Sequence, residues 1–230
     1  MIFDFRFWRY FSNQQELIDN LEQAQMRDFK QRVWMVGILG LLLFAARELW
    51  GMNTEQLTSI FAVGGSDAYS LARMMSLVGI LLWALIYMAF HFFGIAFLLH
   101  KLTHVELSKL AVLQLYVVAI LLVEKALLFV IFILLGITTP VSLFSFGPLA
   151  GTFLEQSFFI FFFNQLSIFT ALIIAIQVRF IRAFSDYKLS QIFLLVISIH
   201  ILMALITAAV GFIPFEEWYV RLVEGGATVE

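Results

Sequence analysis

Residues 110–135 read LAVLQLYVVAILLVEKALLFVIFILL. A helix of this length and apolarity crosses the hydrocarbon core of a bilayer, since about 20 residues rising about 1.5 Å each are enough. Four further runs of the same kind lie near residues 33–50, 75–99, 158–180 and 190–213. The chain is therefore expected to be all-α, a polytopic integral membrane protein with five transmembrane helices. Its organisation follows as a tail over 1–32, a five-helix membrane domain over 33–213 and a short tail over 214–230. Composition agrees: 62% hydrophobic residues, 13% charged residues and a mean hydropathy of +0.97 do not fit a water-soluble globule of 230 residues. The 27 Phe suit lipid-facing surfaces and interfacial belts. A net charge of −2 gives no reason to expect nucleic acid as a partner. With no Cys, disulfides, thiolate nucleophiles and thiolate metal sites are excluded.

The charges between the runs set the orientation. Arg6, Arg9, Arg27, Lys30 and Arg32 precede the first run, Lys101 and Lys109 follow the second, and Arg179, Arg182 and Lys188 follow the fourth. The opposite side carries only Arg47, Arg73 and Arg221. The excess of bases on cytoplasmic loops predicts a cytoplasmic N-terminus and an external C-terminus. Glu16, Asp19, Glu22 and Asp28 stand before the first run, so it lacks the form of a cleaved signal peptide and is expected to remain in the mature chain.

Within the tail, Phe3, Phe5, Phe7, Trp8, Tyr10 and Phe11 surround Arg6 and Arg9, a mixture suited to the headgroup level. Ser12 with Gln15 reads as a capping box, and Leu17, Ile18 and Leu21 recur at helical spacing. An interfacial amphipathic helix is expected, although the same stripe would serve to bind a partner protein. In the first loop, Gly64, Gly65, Ser66 and Asp67 separate a short helix near 54–61 from the second span. Residues 136–157 contain Gly136, Pro140, Gly147, Pro148 and Gly151 and no charge before Glu155. Irregular backbone is not tolerated against lipid, so this segment lies at the interface or dips into a protein-lined recess. Its lack of a polar lining favours the interface.

Ionisable residues inside spans are where chemistry is sought, because burying them demands a partner or a hydrated cavity. Glu124 and Lys125 stand near the middle of the third span, with Gln114 three turns before Lys125 on the same face. Adjacent helical positions point about 100° apart, so the pair is expected to address different neighbours. Gly79, Trp83, Tyr87, His91 and Gly94 in the second span, and His200, Ala204, Thr207, Ala208 and Gly211 in the fifth, read as packing seams with polar tips. Asn164, Ser167, Thr170 and Gln177 in the fourth are of the interhelical hydrogen-bonding kind. Glu124, Lys125, His91, His200, Gln114 and Asn164 are thus candidates for protein contact or for a polar pathway.

No catalytic, cofactor-binding or metal site is expected. Glu216, Glu217 and Arg221 spell E-E-x-x-x-R, which resembles the first motif of the CAAX-type intramembrane proteases, but no base or ligand follows to complete it. His100 and His104 have the i, i+4 spacing of a metal pair, with Glu106 close by, yet without an H-E-x-x-H pattern. Phosphate-binding Gly-rich loops and G-x-S-x-G are absent.

The turn between the last two runs reads Arg179-Phe-Ile-Arg182-Ala-Phe-Ser-Asp-Tyr-Lys188. Five runs, short loops and a final pair of helices joined by this brief basic turn resemble the Yip family, the Ypt/Rab-interacting integral membrane proteins, over residues 25–213 in outline. The size and order are similar to the bacterial YknW type. That resemblance implies a non-enzymatic accessory or assembly protein of the bacterial cytoplasmic membrane, docking on an ABC-type export complex through its permease and adaptor subunits or organising other membrane proteins. The middle spans lack the proline often seen in that family and carry Glu124 and Lys125 instead. The alternative from another class is a transporter or channel subunit with a pathway through Glu124, Lys125, His91 and His200. Monomeric and homo-oligomeric arrangements are both open to such a bundle.

Overall fold

The structure is a computed structural model that describes residues 2–4, 7, 9, 13–23, 25–52, 54 and 57–211. The tail residues 214–230, with Glu216, Glu217 and Arg221, and the cap expected at Ser12 lie outside the described residues.

The architecture is helical. A three-residue strand β1 (Ile2–Asp4) is followed by helix α1 (Gln14–Gln23) and strand β2 (Gln25–Arg27), and the two strands pair in parallel. Asn13 caps α1: its Oδ1 accepts the Glu16 backbone N–H at 3.4 Å, while its side-chain Nδ2 donates to the Glu16 carboxylate at 3.3 Å. Next come α2 (Phe29–Trp50) and α3 (Thr58–Ala89), continued by a π-turn over Phe90–Gly94 into α4 (Ile95–Thr103). α5 (Leu107–Leu135) follows, then the short α6 (Gly147–Ala150) and α7 (Ser157–Asn164), and finally α8 (Ile168–Ala183) and α9 (Leu189–Gly211).

Among the described residues, four helical segments are long and apolar enough to cross a membrane: Phe29–Trp50, Gly65–Thr103, Leu107–Leu135 and Leu189–Gly211. The run at 158–180, expected as a fifth continuous helix, is broken between Asn164 and Ile168 into α7 and α8. The punctuation expected in the first loop stands at Gly65, whose φ of 72° and ψ of −168° belong to a region open essentially to glycine, and there α3 kinks.

Contacts gather into two compact units, one of residues 1–138 and 173–193, the other of 139–172 and 194–211 among the described residues. In the first unit α2 and α3 form an antiparallel hairpin. Its turn is closed by Gly51 in the left-handed region (φ 104°), whose N–H bonds the Arg47 and Glu48 carbonyls, while the Arg73 guanidinium donates to the carbonyls of Glu48 (3.3 Å) and Leu49 (3.1 Å). α5 runs alongside α2, placing Leu122 against Gly40 and Phe129 against Trp50, and it forms the core: Leu110 and every residue from Val112 to Val118 are buried. The tail is folded onto this core. The Phe7 ring stacks on Tyr116 at 4.8 Å, the Tyr116 hydroxyl donates to the Phe7 carbonyl at 3.2 Å, and Leu17 and Ile18, the stripe read as meeting lipid or a partner, are buried in the chain itself.

In the second unit, the strand-like segment around Ser145 bridges Ser167. The Phe146 N–H donates to the Leu166 carbonyl and the Ile168 N–H to the Phe144 carbonyl, each at 3.1 Å. Ala204 and Ala208 of α9 are buried, and a Cβ on Gly211 would stand 3.2 Å from the Phe161 ring. Thr207, expected in that seam, is instead exposed and donates to its own helix at the Met203 carbonyl.

Candidate functional site

The first unit collects most of the candidate side chains in the seam where α2, α3 and α5 meet. Lys125 points its Nζ at the face of the Tyr87 ring, 5.1 Å from the centroid. Tyr87 lies between Phe44 of α2 (6.1 Å) and His91 (4.5 Å, edge-on), and His91 also meets the Phe90 ring at 5.7 Å. The π-turn that begins at Phe90 widens the helix where His91 is placed; such turns occur frequently at functional sites. Glu124 interacts electrostatically with both Tyr87 and Lys125, and so does Arg47, whose guanidinium lies 5.6 Å from the Phe44 centroid. Two cations and one carboxylate thus bear on one phenol.

One turn along α2 from Phe44, Glu48 is only 2% exposed, and its carboxylate accepts the Ser76 hydroxyl of α3 at 2.5 Å. A buried carboxylate is tolerated only when it is hydrogen-bonded and opposed by positive charge. At the depth of Tyr87 the seam is closed by apolar packing: a Cβ on Gly40 would stand 3.1 Å from Leu122 Cδ1 and meet the Met88 thioether as well.

The sequence candidates divide accordingly. Lys125, Glu124 and His91 come together around Tyr87. Gln114 lies deep in the α5 core at 0% exposure, with neither its amide nitrogen nor its oxygen hydrogen-bonded among the described residues. His200 stands on α9 in the second unit. Asn164 is in that unit too, and its side chain holds the break between α7 and α8: Oδ1 accepts the Ser142 N–H at 2.6 Å and the Ser145 hydroxyl at 3.0 Å. Ser167 caps α8 by accepting the Thr170 N–H at 3.1 Å, and the Thr170 hydroxyl donates to the Gln165 carbonyl at 2.8 Å. These residues serve the local backbone, not a neighbouring helix.

Of the seam expected over residues 79–94, only the inner part is inside. Gly79 has open space where a Cβ would be and Trp83 is 55% exposed, so these two face outward. His100 uses Nδ1 to bond the Val105 carbonyl at 2.7 Å within a tight turn, with His104 in the left-handed region at φ 57°. Among the described residues, no three His, Asp or Glu side chains are grouped to hold a metal ion.

Arg47, Glu48, Ser76 and Tyr87 were not singled out as a cluster by sequence reasoning. Arg47 and Glu48 end the first apolar run and read there as a boundary. The signal that could have found them is their spacing from Phe44, which places Glu48 on the same helix face as Gly40 and Phe44. Comparison of the chain with protein-family models, with curated proteins and with solved structures finds no match.

Proposed function

We propose that the chain is a non-enzymatic integral membrane accessory or assembly protein, which works by lateral contact with other membrane proteins and docks on an ABC-type export complex or organises such partners in the bacterial cytoplasmic membrane. The observation that carries this reading is the way the seam is built. Its charges are engaged with aromatic rings and with groups on neighbouring helices, and apolar contact among Gly40, Met88 and Leu122 closes the packing at the same depth. Such a seam holds three helices in register and leaves the outward faces for partners and lipid. A pull-down from native membranes in gentle detergent, with mass spectrometry, tests it. Stoichiometric recovery of a permease, an ATPase or an adaptor is the expected outcome, and recovery of this chain alone would refute it.

The same reading includes five crossings with the N-terminus inside. Lys109, at the start of α5, sits 4.6 Å over the ring of Phe184, just past the end of α8, and Phe7 of the tail stacks on Tyr116. The tail, the turn before α5 and the turn after α8 therefore share one end of the first unit, and each carries two or more Lys or Arg. α5, with 29 residues, carries the chain roughly 43 Å away from that end, and by Phe184 the chain is back. In this reading α8 supplies the extra crossing on the return.

A second reading, a transporter or channel subunit using Glu124, Lys125, His91 and His200, draws on the meeting of Lys125, Tyr87 and His91 at a π-turn. Flux through liposomes containing the purified protein, lost on Glu124→Gln, would favour it.

A further inference from the structure

The outward face of α3 sets a tryptophan within the depth of the span. Ser76 of α3 reaches Glu48 of α2, and the Met88 thioether lies against Gly40. Between these two contacts of the antiparallel hairpin, Trp83 stands level with the stretch of α2 from Gly40 to Glu48, inside a span that runs from Phe29 to Trp50. Trp is ordinarily placed at the membrane–water interface, where the ring lies in the apolar phase and the N–H meets water or headgroups. Here the side chain is 55% exposed, and the indole makes no hydrogen bond among the described residues. Lipid tails offer that N–H no acceptor. One turn before it, Gly79 has nothing within 4 Å of where a Cβ would stand. Met75, Leu82 and Ile86 on the flanks are exposed and apolar. The face therefore carries a large projecting ring and, four residues away, a recess where another helix backbone can come close.

We propose that this face packs against the same face of a second copy of the chain. Copies inserted in one orientation are related by a two-fold axis along the membrane normal, and such an interface is isologous: whatever projects from one copy has to fit a recess on the same surface of the other. Trp83 and Gly79 meet that condition by themselves, projection and recess one helical turn apart. In the pair, the ring of each Trp83 lies over Gly79 of the other copy. A backbone carbonyl beside that glycine uses one lone pair within its own helix and has a second to accept the indole N–H. This contact goes beyond docking on an export complex, because it is made between copies and needs only that α3 crosses the bilayer.

The chain has no Cys, so His104→Cys on the exposed α4–α5 turn takes one fluorophore per copy. Donor-labelled and acceptor-labelled protein are reconstituted together in phosphatidylcholine liposomes, and energy transfer is followed as the protein is diluted with lipid. Transfer is expected to exceed that of random encounters and to fall along a monomer–dimer curve. Trp83→Phe keeps a ring and removes the donor, and is expected to weaken the pair roughly fivefold, the loss of one interhelical hydrogen bond in a membrane. Gly79→Leu fills the recess and is expected to weaken it about tenfold or more. Because the space around Gly79 is open in the single copy, the unfolding midpoint of Gly79→Leu in detergent is expected to match that of the parent, which separates loss of the pair from loss of the fold. Transfer no greater than random leaves the face to lipid or to another protein and overturns the proposal. A dimer that dissociates at the same dilution in the parent and in both variants is made by another face, and overturns it as well.

Discussion

Glu48 and Gln114 meet opposite fates in the same bundle. Glu48 is a buried carboxylate supplied with a hydroxyl donor, so removing that donor leaves the charge short of a hydrogen bond. We predict that Ser76→Ala lowers stability by about 1–3 kcal/mol. Gln114 is a buried amide without a partner among the described residues, and replacing it by an apolar residue of similar size removes a desolvation cost. We predict that Gln114→Leu raises the midpoint of thermal unfolding in detergent by roughly 2–4 °C, as follows from about 1 kcal/mol in a chain of this size. A lowered midpoint would mean that the amide is engaged after all. Lys125 and Glu124 form a coupled test. If their charges balance within the seam, Lys125→Met alone is more damaging than Lys125→Met combined with Glu124→Gln, and a double-mutant cycle measures the coupling. That Lys125, Tyr87 and His91 were candidates for contact within the bundle was legible, because intramembrane ionisable groups and a helical i, i+4 spacing stand out in an apolar run. That Arg47 and Glu48 join them was not, because charges at the end of a run look the same whether they turn outward to water or inward to a neighbour.

At the level of elements, the close approach of α2 and α5 depends on Gly40. A larger side chain there would displace Leu122 and Met88. We predict that Gly40→Val costs about 1–3 kcal/mol by overpacking, while Gly37→Val, where a Cβ meets nothing within 4 Å, is nearly neutral. The unbroken helices were legible from length and hydropathy alone. The break after Asn164 was not, since Asn164, Ser167 and Thr170 have the spacing of residues that bond across helices. The hydrogen bonds of Asn164 and Thr170 go instead to Ser142, Ser145 and the nearby carbonyl of Gln165, close to the bridge between Ser145 and Ser167. Such pairing depends on a loop conformation that no helical period encodes.

For the molecule as a whole, the absence of Cys allows a direct test of the path through the membrane. His104, Tyr187 and Leu149 are exposed positions on the α4–α5 turn, the α8–α9 turn and α6. With single cysteines placed at each, a membrane-impermeant maleimide added to intact cells is expected to label Leu149→Cys alone and to reach His104→Cys and Tyr187→Cys only after lysis. Labelling of Leu149→Cys and Tyr187→Cys from the same side would remove the crossing assigned to α8. If that crossing stands, the 16 residues of α8 give it a length of roughly 24 Å, less than the roughly 30 Å of a typical hydrocarbon core. Lipids touching α8 must then shorten their reach or tilt, each ångström of mismatch costing a fraction of a kcal/mol. The protein would carry a dimple in the bilayer beside one of its helices, and it would settle more readily among shorter acyl chains than among longer ones.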